Sequence, residues 1–339
     1  MTGSDGQAKV ILHLPDHALQ DFRAKPIYGI HAAIDRLILA RGGQVMVAPR
    51  GDALYGRHAL PGDGDLHIVE NGRAQGPGYL NAAVAYLEGY FHLDPEGVLA
   101  DASTRHLVYD PDAVDSRAAH AFFDRLKVRF SARRHSRYRQ KQGQVDLPDG
   151  FIAVFLQGPK PERSGQAHMP TAAMLRCVAG GAGGRPVVVK PHPLKPGLGA
   201  EQISAARAAG AVLVQTDANV HDILAAAAVT VSINSATGFE GFLHGTPAIF
   251  FGRSDFHQCV ETVRRPEDFA KALTRALSRK RNYAKAMYWY FGRHGFWLDD
   301  PNLDAKLLAQ FVKAGFSEER LGLGPVGDAP IISTSPRDG

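Results

Sequence analysis

Short apolar runs alternate with longer alanine-rich stretches along most of the chain, and this alternation constrains the fold more than any other feature. Runs such as KVILHL (9–14) and FIAVFLQ (151–157) are typical of buried strands, whereas IYGIHAAIDRLILARGG (27–43) has the apolar spacing of a helix ended by glycine. Strands that alternate with helices form parallel sheets covered on both faces. The sequence therefore predicts an α/β fold.

The same patterns predict the remaining elements. Further strands are expected at 44–48, 66–70, 106–110, 186–193 (strand, then loop), 211–216, 229–234 and 247–252. Further helices are expected at 78–91, 115–127, 171–181, 201–210, 219–228, 237–245 and over most of 266–297. Asp115 and Asn219 are the expected N-caps of two of these helices.

The chain has 339 residues, which suits two domains of roughly 150 residues each. A polar stretch, KQGQVDLPDG (141–150), has the composition of a linker. The sequence predicts a Rossmann-like acceptor domain over 1–145 and a second Rossmann-like domain, which binds the nucleotide sugar, over 146–282. Residues 283–322 are predicted to form C-terminal helices that are candidates to cross back to the first domain, and 323–339 a disordered tail.

Composition places the chain among soluble globular proteins, with 45% hydrophobic and 22% charged residues. It contains no apolar run of the roughly 20 residues that a membrane span needs, and its N-terminus does not resemble a signal peptide. Two cysteines, Cys177 and Cys259, do not make a disulfide framework. We therefore expect a cytoplasmic protein.

The net charge of +5 is concentrated in the segment RFSARRHSRYRQK (129–141). Such a run attracts phosphates, nucleic acid, an anionic membrane face or an acidic glycan. A solvated helix face is the simpler interpretation. Nucleic acid is disfavoured as a partner because no nucleic-acid-binding module accompanies the run.

Polar residues collect after the strands of the second half. Ser235, Thr237 and Gly238 open a predicted helix, where unpaired backbone N–H groups and the helix dipole favour a phosphate. Glu240, one turn further on, can accept hydrogen bonds from sugar hydroxyls. His192 lies between two prolines, which fix its direction toward a phosphate or a leaving group. Ordinary helix capping and a surface histidine in a turn are the alternative interpretations.

Together these segments resemble the capsule polysaccharide synthesis family, which contains the bacterial β-Kdo transferases that use CMP-Kdo. KPHP (190–193) is followed about 40 residues later by SINSATGFEGFLHGTPAIFFG (232–252). The resemblance also includes YLEGYFHLDPEGVLADAS (86–103), FLQ (155–157) and YWYFGRHGFW (288–297), and so it covers most of residues 80 to 300.

The resemblance implies a GT-B-like fold, with two Rossmann-like domains facing a central cleft that holds the nucleotide sugar. It implies that His192, Ser235 and Thr237 hold the phosphate of CMP and that Glu240 binds the ribose. The other expected nucleotide-binding residues are Gln157, Lys190 and Gly238. Members of the GT-B class generally need no metal, so no metal and no cofactor beyond the donor substrate are expected.

One part of the sequence departs from the family pattern. In the retaining β-Kdo transferases an Asp that follows the Leu-Gln strand end is associated with nucleophilic attack, whereas the loop GPKPERSGQ (158–166) contains Glu162 as its only carboxylate. Glu162 could take that role, although its extra methylene shifts the reactive oxygen. Glu88 and Asp94 are candidates for an acid or base in the first half; a solvent-exposed helix position and a turn before Pro95 are the alternatives.

The leading functional hypothesis is transfer of a Kdo-like 3-deoxy-ulosonic acid from a CMP-sugar to a cell-surface polysaccharide or glycolipid. One alternative is a transferase or epimerase that uses a UDP or GDP sugar. Another is a catalytically degenerate protein that binds nucleotide or glycan within a capsule assembly complex. The expected partners are a nucleotide sugar and a glycan acceptor, with a peripheral contact at the inner membrane face or in that complex. Stereochemistry and oligomeric state stay open.

Overall fold

The chain forms two compact units in the computed structural model, which describes residues 6–325 except 57, 58 and 144. The first unit lies within Met1–Val84, Phe91–Val98 and Phe296–Gly339, and the second is formed by Ala85–Tyr90 and Leu99–Gly295. Each unit contains a six-stranded sheet with helices, so the predicted α/β class with two Rossmann-like domains is confirmed.

Strands and helices alternate along most of the chain, as the sequence predicts, except that β3, β4 and β5 follow one another without an α-helix between them. The strands are β1 Val10–Leu14, β2 Val45–Pro49, β3 Leu66–Glu70, β4 Tyr79–Val84, β5 Tyr90–Asp94, β6 Ile152–Phe155, β7 Val187–Lys190, β8 Val214–Gln215, β9 Val229–Ser232, β10 Ala248–Phe250, β11 Glu261–Thr262 and β12 Phe296–Trp297. The α-helices are α1 Gly29–Ala40, α2 Asp52–Tyr55, α3 Ser116–Leu126, α4 Lys160–Arg163, α5 Thr171–Gly180, α6 Pro196–Ala208, α7 Val220–Ala226, α8 Thr237–Phe242, α9 Phe269–Ser278, α10 Tyr283–Met287 and α11 Leu303–Lys313. In the described part of the chain, no helix is long and apolar enough to cross a membrane.

The boundaries of the units differ from the predicted domains. Residues 99–145, expected in the first domain, pack within the second unit, and 141–150 is a connection inside that unit rather than a linker between domains. The C-terminal segment divides at residue 296: the part before it packs with the second unit, and the part after it buries Leu307 and Phe311 in the core of the first. The predicted disordered tail, 323–339, lies outside the described residues apart from 323–325.

Two of the predicted elements are wrong. Residues 78–91 form the antiparallel pair β4 and β5 instead of a helix; every position of β4 is buried, so the strand lacks the polar alternation that distinguishes it from a buried helix. Residues 106–110 have no strand partner, and Val108 is 81% exposed. Asp115 and Asn219 do cap α3 and α7, since their side chains accept bonds from backbone N–H groups of the first turn.

The second sheet has the strand order β11-β10-β9-β6-β7-β8, and its strands are parallel. Counted in sequence order from β6, this is the 3-2-1-4-5-6 order of nucleotide-binding Rossmann folds. The direction of winding reverses between β6 and β9. In such sheets, ligands bind outside the carboxyl ends of the strands at the reversal, so the topology marks one edge of this unit as the place for a site.

Asp255, which is fully buried beyond β10, joins distant segments of the second unit. Its Oδ1 accepts a hydrogen bond from the Tyr86 hydroxyl at 2.6 Å, and its Oδ2 accepts bonds from the hydroxyls of Thr104 (2.9 Å) and Tyr290. Burial raises the pKa of Asp255 to about 6, although the three hydroxyl donors oppose this rise. The buried carboxylate therefore depends on hydroxyls from three separate segments.

Replacing Tyr86 by Phe should destabilise the second unit, because it leaves a buried carboxylate with one donor fewer. We expect the free energy of unfolding to fall by about 1.5–3 kcal/mol in urea titrations at pH 7.5, where Asp255 is ionised. The control is Tyr288→Phe, since the Tyr288 hydroxyl has no hydrogen-bond partner among the described residues. Equal losses in the two variants would contradict the role of Asp255.

Candidate functional site

Gln157 and Asn234 meet at the point where the second sheet reverses direction. Gln157 lies two residues beyond β6 and Asn234 two residues beyond β9. The Gln157 Nε2 donates to Asn234 Oδ1 at 3.1 Å, and the Asn234 backbone N–H donates to Gln157 Oε1 at 2.9 Å. The structure thus places Gln157 at the edge that the sequence predicts. Asn234 was missed, although it lies in the quoted SINSATG segment.

A polar network continues from Asn234 into the body of the second unit. Asn234 Nδ2 donates to Gln166 Oε1 (3.2 Å) and to the Arg253 carbonyl (3.0 Å). Gln166 in turn donates to the buried Asp101 carboxylate at 3.0 Å, and Arg253 lies 3.3 Å from the other oxygen of that carboxylate. Sequence spacing does not bring Asp101 and Gln166 together, because they are 65 residues apart. This network fixes the amide of Asn234 at the edge of the sheet.

The start of α8 differs from the prediction of an open anion site. The Gly238 N–H is not free: it donates to the Ser235 carbonyl at 3.1 Å, and the Ser235 hydroxyl accepts from the Thr237 N–H at 3.3 Å. Gly238 instead allows close packing, since a Cβ at this position would lie 2.7 Å from the Phe250 ring. The Thr237 hydroxyl is buried and has no hydrogen-bond partner within the described residues, so it is the polar group that this turn leaves for a ligand.

Glu240 is a buried carboxyl group one turn along α8. Burial raises its pKa to about 7, and the neighbouring Ser136 side chain acts in the opposite direction. Because burial disfavours the ionised form of this carboxyl group, any further hydrogen-bond donor that reaches it would stabilise the carboxylate. This is the environment expected of a side chain that accepts hydrogen bonds from the hydroxyl groups of a ligand.

Lys190 ends β7 and His192 lies two residues beyond it, and the two side chains have different surroundings. The Leu194 N–H donates to His192 Nδ1 at 3.2 Å, which leaves the proton of the neutral ring on Nε2. Burial, with help from the charges of Arg137 and Lys195, lowers the pKa of His192, so the ring is neutral at pH 7. Lys190 Nζ donates to the backbone carbonyls of residues 217 and 218, at 3.3 and 2.7 Å. His192 can therefore donate a hydrogen bond to a ligand, whereas Lys190 has a structural contact.

The three carboxylates proposed for catalysis lie in separate surroundings. Glu162 Oε1 accepts bonds from the backbone N–H (2.9 Å) and the hydroxyl (2.5 Å) of Thr171, so it anchors the start of α5. Glu88 Oε2 lies at hydrogen-bond distance, 3.0 Å, from His135 Nε2, and both side chains are half-exposed in the second unit. Asp94 belongs to the first unit, where it is buried and accepts N–H bonds from residues 96 and 97. This is the turn before Pro95 that the sequence allowed.

The basic segment 129–141 is not a solvated helix face. Residues 127–131 continue α3 as a π-helical turn, and the residues after 131 leave the helix. Arg134 forms an ion pair with Asp222, and Lys141 forms one with Asp217. Part of the positive charge therefore neutralises carboxylates of the second unit. Among the described residues, no group of three His, Cys, Asp or Glu side chains is arranged to hold a metal ion.

Comparison with known proteins gives one family and a set of similar structures. Residues 164–291 match the family described as "Capsule polysaccharide biosynthesis protein". The β-Kdo 2,7 transferase of Thermosulfurimonas dismutans KpsC shares 11% identity with a TM-score of 0.53, over 91% of this chain and 100% of that chain. Its β-Kdo 2,4 transferase shares 14% identity with a TM-score of 0.50, over 83% and 89%. No curated protein sequence matches at a significant level.

The match over residues 164–291 contains α5, His192, the switch-point Asn234 and all of α8, whereas β6 and Gln157 lie before it. The structural similarity at this level of identity concerns the fold. The chain therefore has a GT-B-like fold and resembles, through its second unit, the capsule polysaccharide synthesis family, as its sequence motifs indicate.

Proposed function

We propose that the chain is a glycosyltransferase that moves a Kdo-like 3-deoxy-ulosonic acid from a CMP-sugar to a cell-surface polysaccharide or glycolipid. The observation that supports this most is the convergence of Gln157, His192, Thr237 and Glu240 at the carboxyl edge of the second sheet, around its switch point. The names of the structurally similar KpsC transferases favour a Kdo donor over other sugars.

The hydrogen-bonding properties of the individual side chains suit the binding of a nucleoside monophosphate. The Nε2–H of neutral His192 and the unpartnered hydroxyl of Thr237 donate to phosphate oxygens. The buried Glu240 carboxylate accepts from ribose hydroxyls. When the bond between the sugar and the phosphate oxygen breaks, CMP leaves with additional negative charge, which these donors stabilise. The acceptor hydroxyl forms the new glycosidic bond and loses its proton, for which Glu88 and Asp94 stay the candidates.

A binding protein without transferase activity is the second candidate. The observation in its favour is the contact of Glu162 with Thr171, since Glu162 is the one carboxylate of the loop 158–166 and its Oε1 anchors α5. Such a protein would bind the same nucleotide sugar at the same edge within a capsule assembly complex. Turnover measurements separate the two candidates.

Thermal unfolding in the presence of nucleotides tests the donor. We expect CMP at about 100 times its Kd to stabilise the protein by roughly 2.7 kcal/mol, and UDP and GDP to have a smaller effect at the same concentration. Thr237→Val should weaken CMP binding about three- to tenfold, because it removes a hydroxyl donor while preserving the shape of the side chain. Stronger stabilisation by UDP or GDP would reject the CMP-sugar donor.

The affinity for CMP should rise with pH through the titration of Glu240. If ribose hydroxyls donate to the carboxylate, CMP binds the ionised form, and with a pKa of about 7 the ionised fraction rises roughly tenfold between pH 6 and pH 8. Calorimetric Kd values should therefore fall by about that factor. Glu240→Gln is the control, since the phosphate of CMP titrates equally with both proteins. The same pH dependence in wild type and Glu240→Gln would exclude Glu240 from the ribose site.

The substitution Glu162→Gln distinguishes two roles for this residue, a cap at the start of α5 and a nucleophile that attacks the sugar. Gln keeps an acceptor oxygen for Thr171 but cannot attack a sugar, and because the structure shows a capping contact we expect CMP release from CMP-Kdo to change by less than about threefold. Glu162→Ala should lower the free energy of unfolding by about 1 kcal/mol through loss of the cap. A drop in turnover of a thousandfold or more with Glu162→Gln would identify Glu162 as the nucleophile instead.

A further inference from the structure

The basic segment 134–141 lies along the same edge of the second sheet as the proposed nucleotide site. At one end, Arg134 Nε donates to Asp222 Oδ1 at 2.9 Å, with a second contact from its NH2 group to Oδ2. At the other end, the Lys141 carbonyl accepts from Asn219 Nδ2 at 3.1 Å. Both partners belong to α7 or cap it, so contacts with one helix hold the segment at its two ends.

Between these anchors, two residues of the segment contact members of the nucleotide set. The Ser136 side chain lies close enough to the buried Glu240 carboxyl group to lower its pKa. The Tyr138 ring packs edge-on against the His192 ring, with 5.1 Å between centroids. Arg137 lies between Ser136 and Tyr138. Its two neighbours in the chain therefore lie beside the side chain proposed for the ribose and the side chain proposed for the phosphate.

The Arg137 guanidinium is available to a ligand. It is exposed, and within the described residues its recorded contact is with the neighbouring Tyr138 ring, 5.8 Å away. Its charge is close enough to His192 to contribute to the lowered pKa of that ring. Of the other cations near this edge, Arg134 and Lys141 pair with carboxylates and Lys190 contacts backbone carbonyls. Lys195, three residues beyond His192, is exposed and contributes less than Arg137 to the lowered pKa of the His192 ring.

We infer that Arg137 binds the phosphate group of the nucleotide and supplies positive charge beside the neutral His192. The inference rests on the proposed function, in that the edge takes a nucleotide. His192 donates a hydrogen bond without a charge, and a phosphate monoester needs a counter-charge that a guanidinium provides through paired N–H donors. The basic segment is thus part of the donor site.

Calorimetry with CMP and cytidine tests this inference, because the two ligands differ only in the phosphate. Arg137→Ala should weaken CMP binding by about tenfold to a hundredfold and leave cytidine binding unchanged. Arg137→Lys should recover part of the CMP affinity. The matched control is Arg139→Ala, which removes the same charge from the same segment at an exposed residue that is not among the causes of the His192 shift; both ligands should bind it within about threefold of wild type.

Other results would overturn either the role of Arg137 or the CMP donor. Equal CMP affinity in Arg137→Ala and wild type, equal losses for CMP and cytidine, or an equal effect of Arg139→Ala would overturn the role of Arg137. If wild type prefers UMP or GMP, the CMP donor is rejected, and Arg137 is judged by the same variants with that nucleotide and its nucleoside. A wild-type protein that binds no nucleoside monophosphate overturns both the inference and the proposed site.

Discussion

The buried Asp255 carboxylate is the interaction on which the second unit depends most. Its three hydroxyl donors, from Tyr86, Thr104 and Tyr290, each lie within six residues of a point where the chain passes between the two units. Without these donors a buried charge would be unsatisfied, at a cost of several kcal/mol. The carboxylate therefore requires that three segments, which enter and leave the unit separately, meet at one place beyond β10.

The same strand edge carries polar groups that lack a full set of hydrogen-bond partners among the described residues, as the proposed nucleotide site requires. Asn234 is fixed by Gln157, Gln166 and Arg253, so one part of the edge is rigid. Next to it, the Thr237 hydroxyl has no partner among the described residues, and Glu240 lies near Ser136 in surroundings that disfavour its charge. A rigid frame with a few incompletely satisfied polar groups is what specific binding of a polar ligand requires.

Electrostatics at this edge depends on a segment that is distant in sequence. His192 is kept neutral by burial and by neighbouring cations, and the nearby Lys190 is occupied by carbonyl groups. Segment 134–141 adds positive charge and also contributes Ser136 and Tyr138 to the surroundings of Glu240 and His192. The sequence shows that this segment is basic and attracts anions, and the structure shows where in the second unit its charge lies.

The sequence by itself determined the α/β class, most of the strands and helices, and the edge where polar residues collect, because these follow from local periodicity and from the direction of parallel strands. It also indicated Gln157, His192, Thr237 and Glu240 through a family resemblance. Tertiary structure alone decided that Gly238 packs against Phe250 and that Glu162 caps α5. It also decided that Asp101 and Gln166 join the polar network at this edge and that Ser136 lies near Glu240. These outcomes depend on contacts between residues far apart in the chain, which no local pattern of residue types can specify.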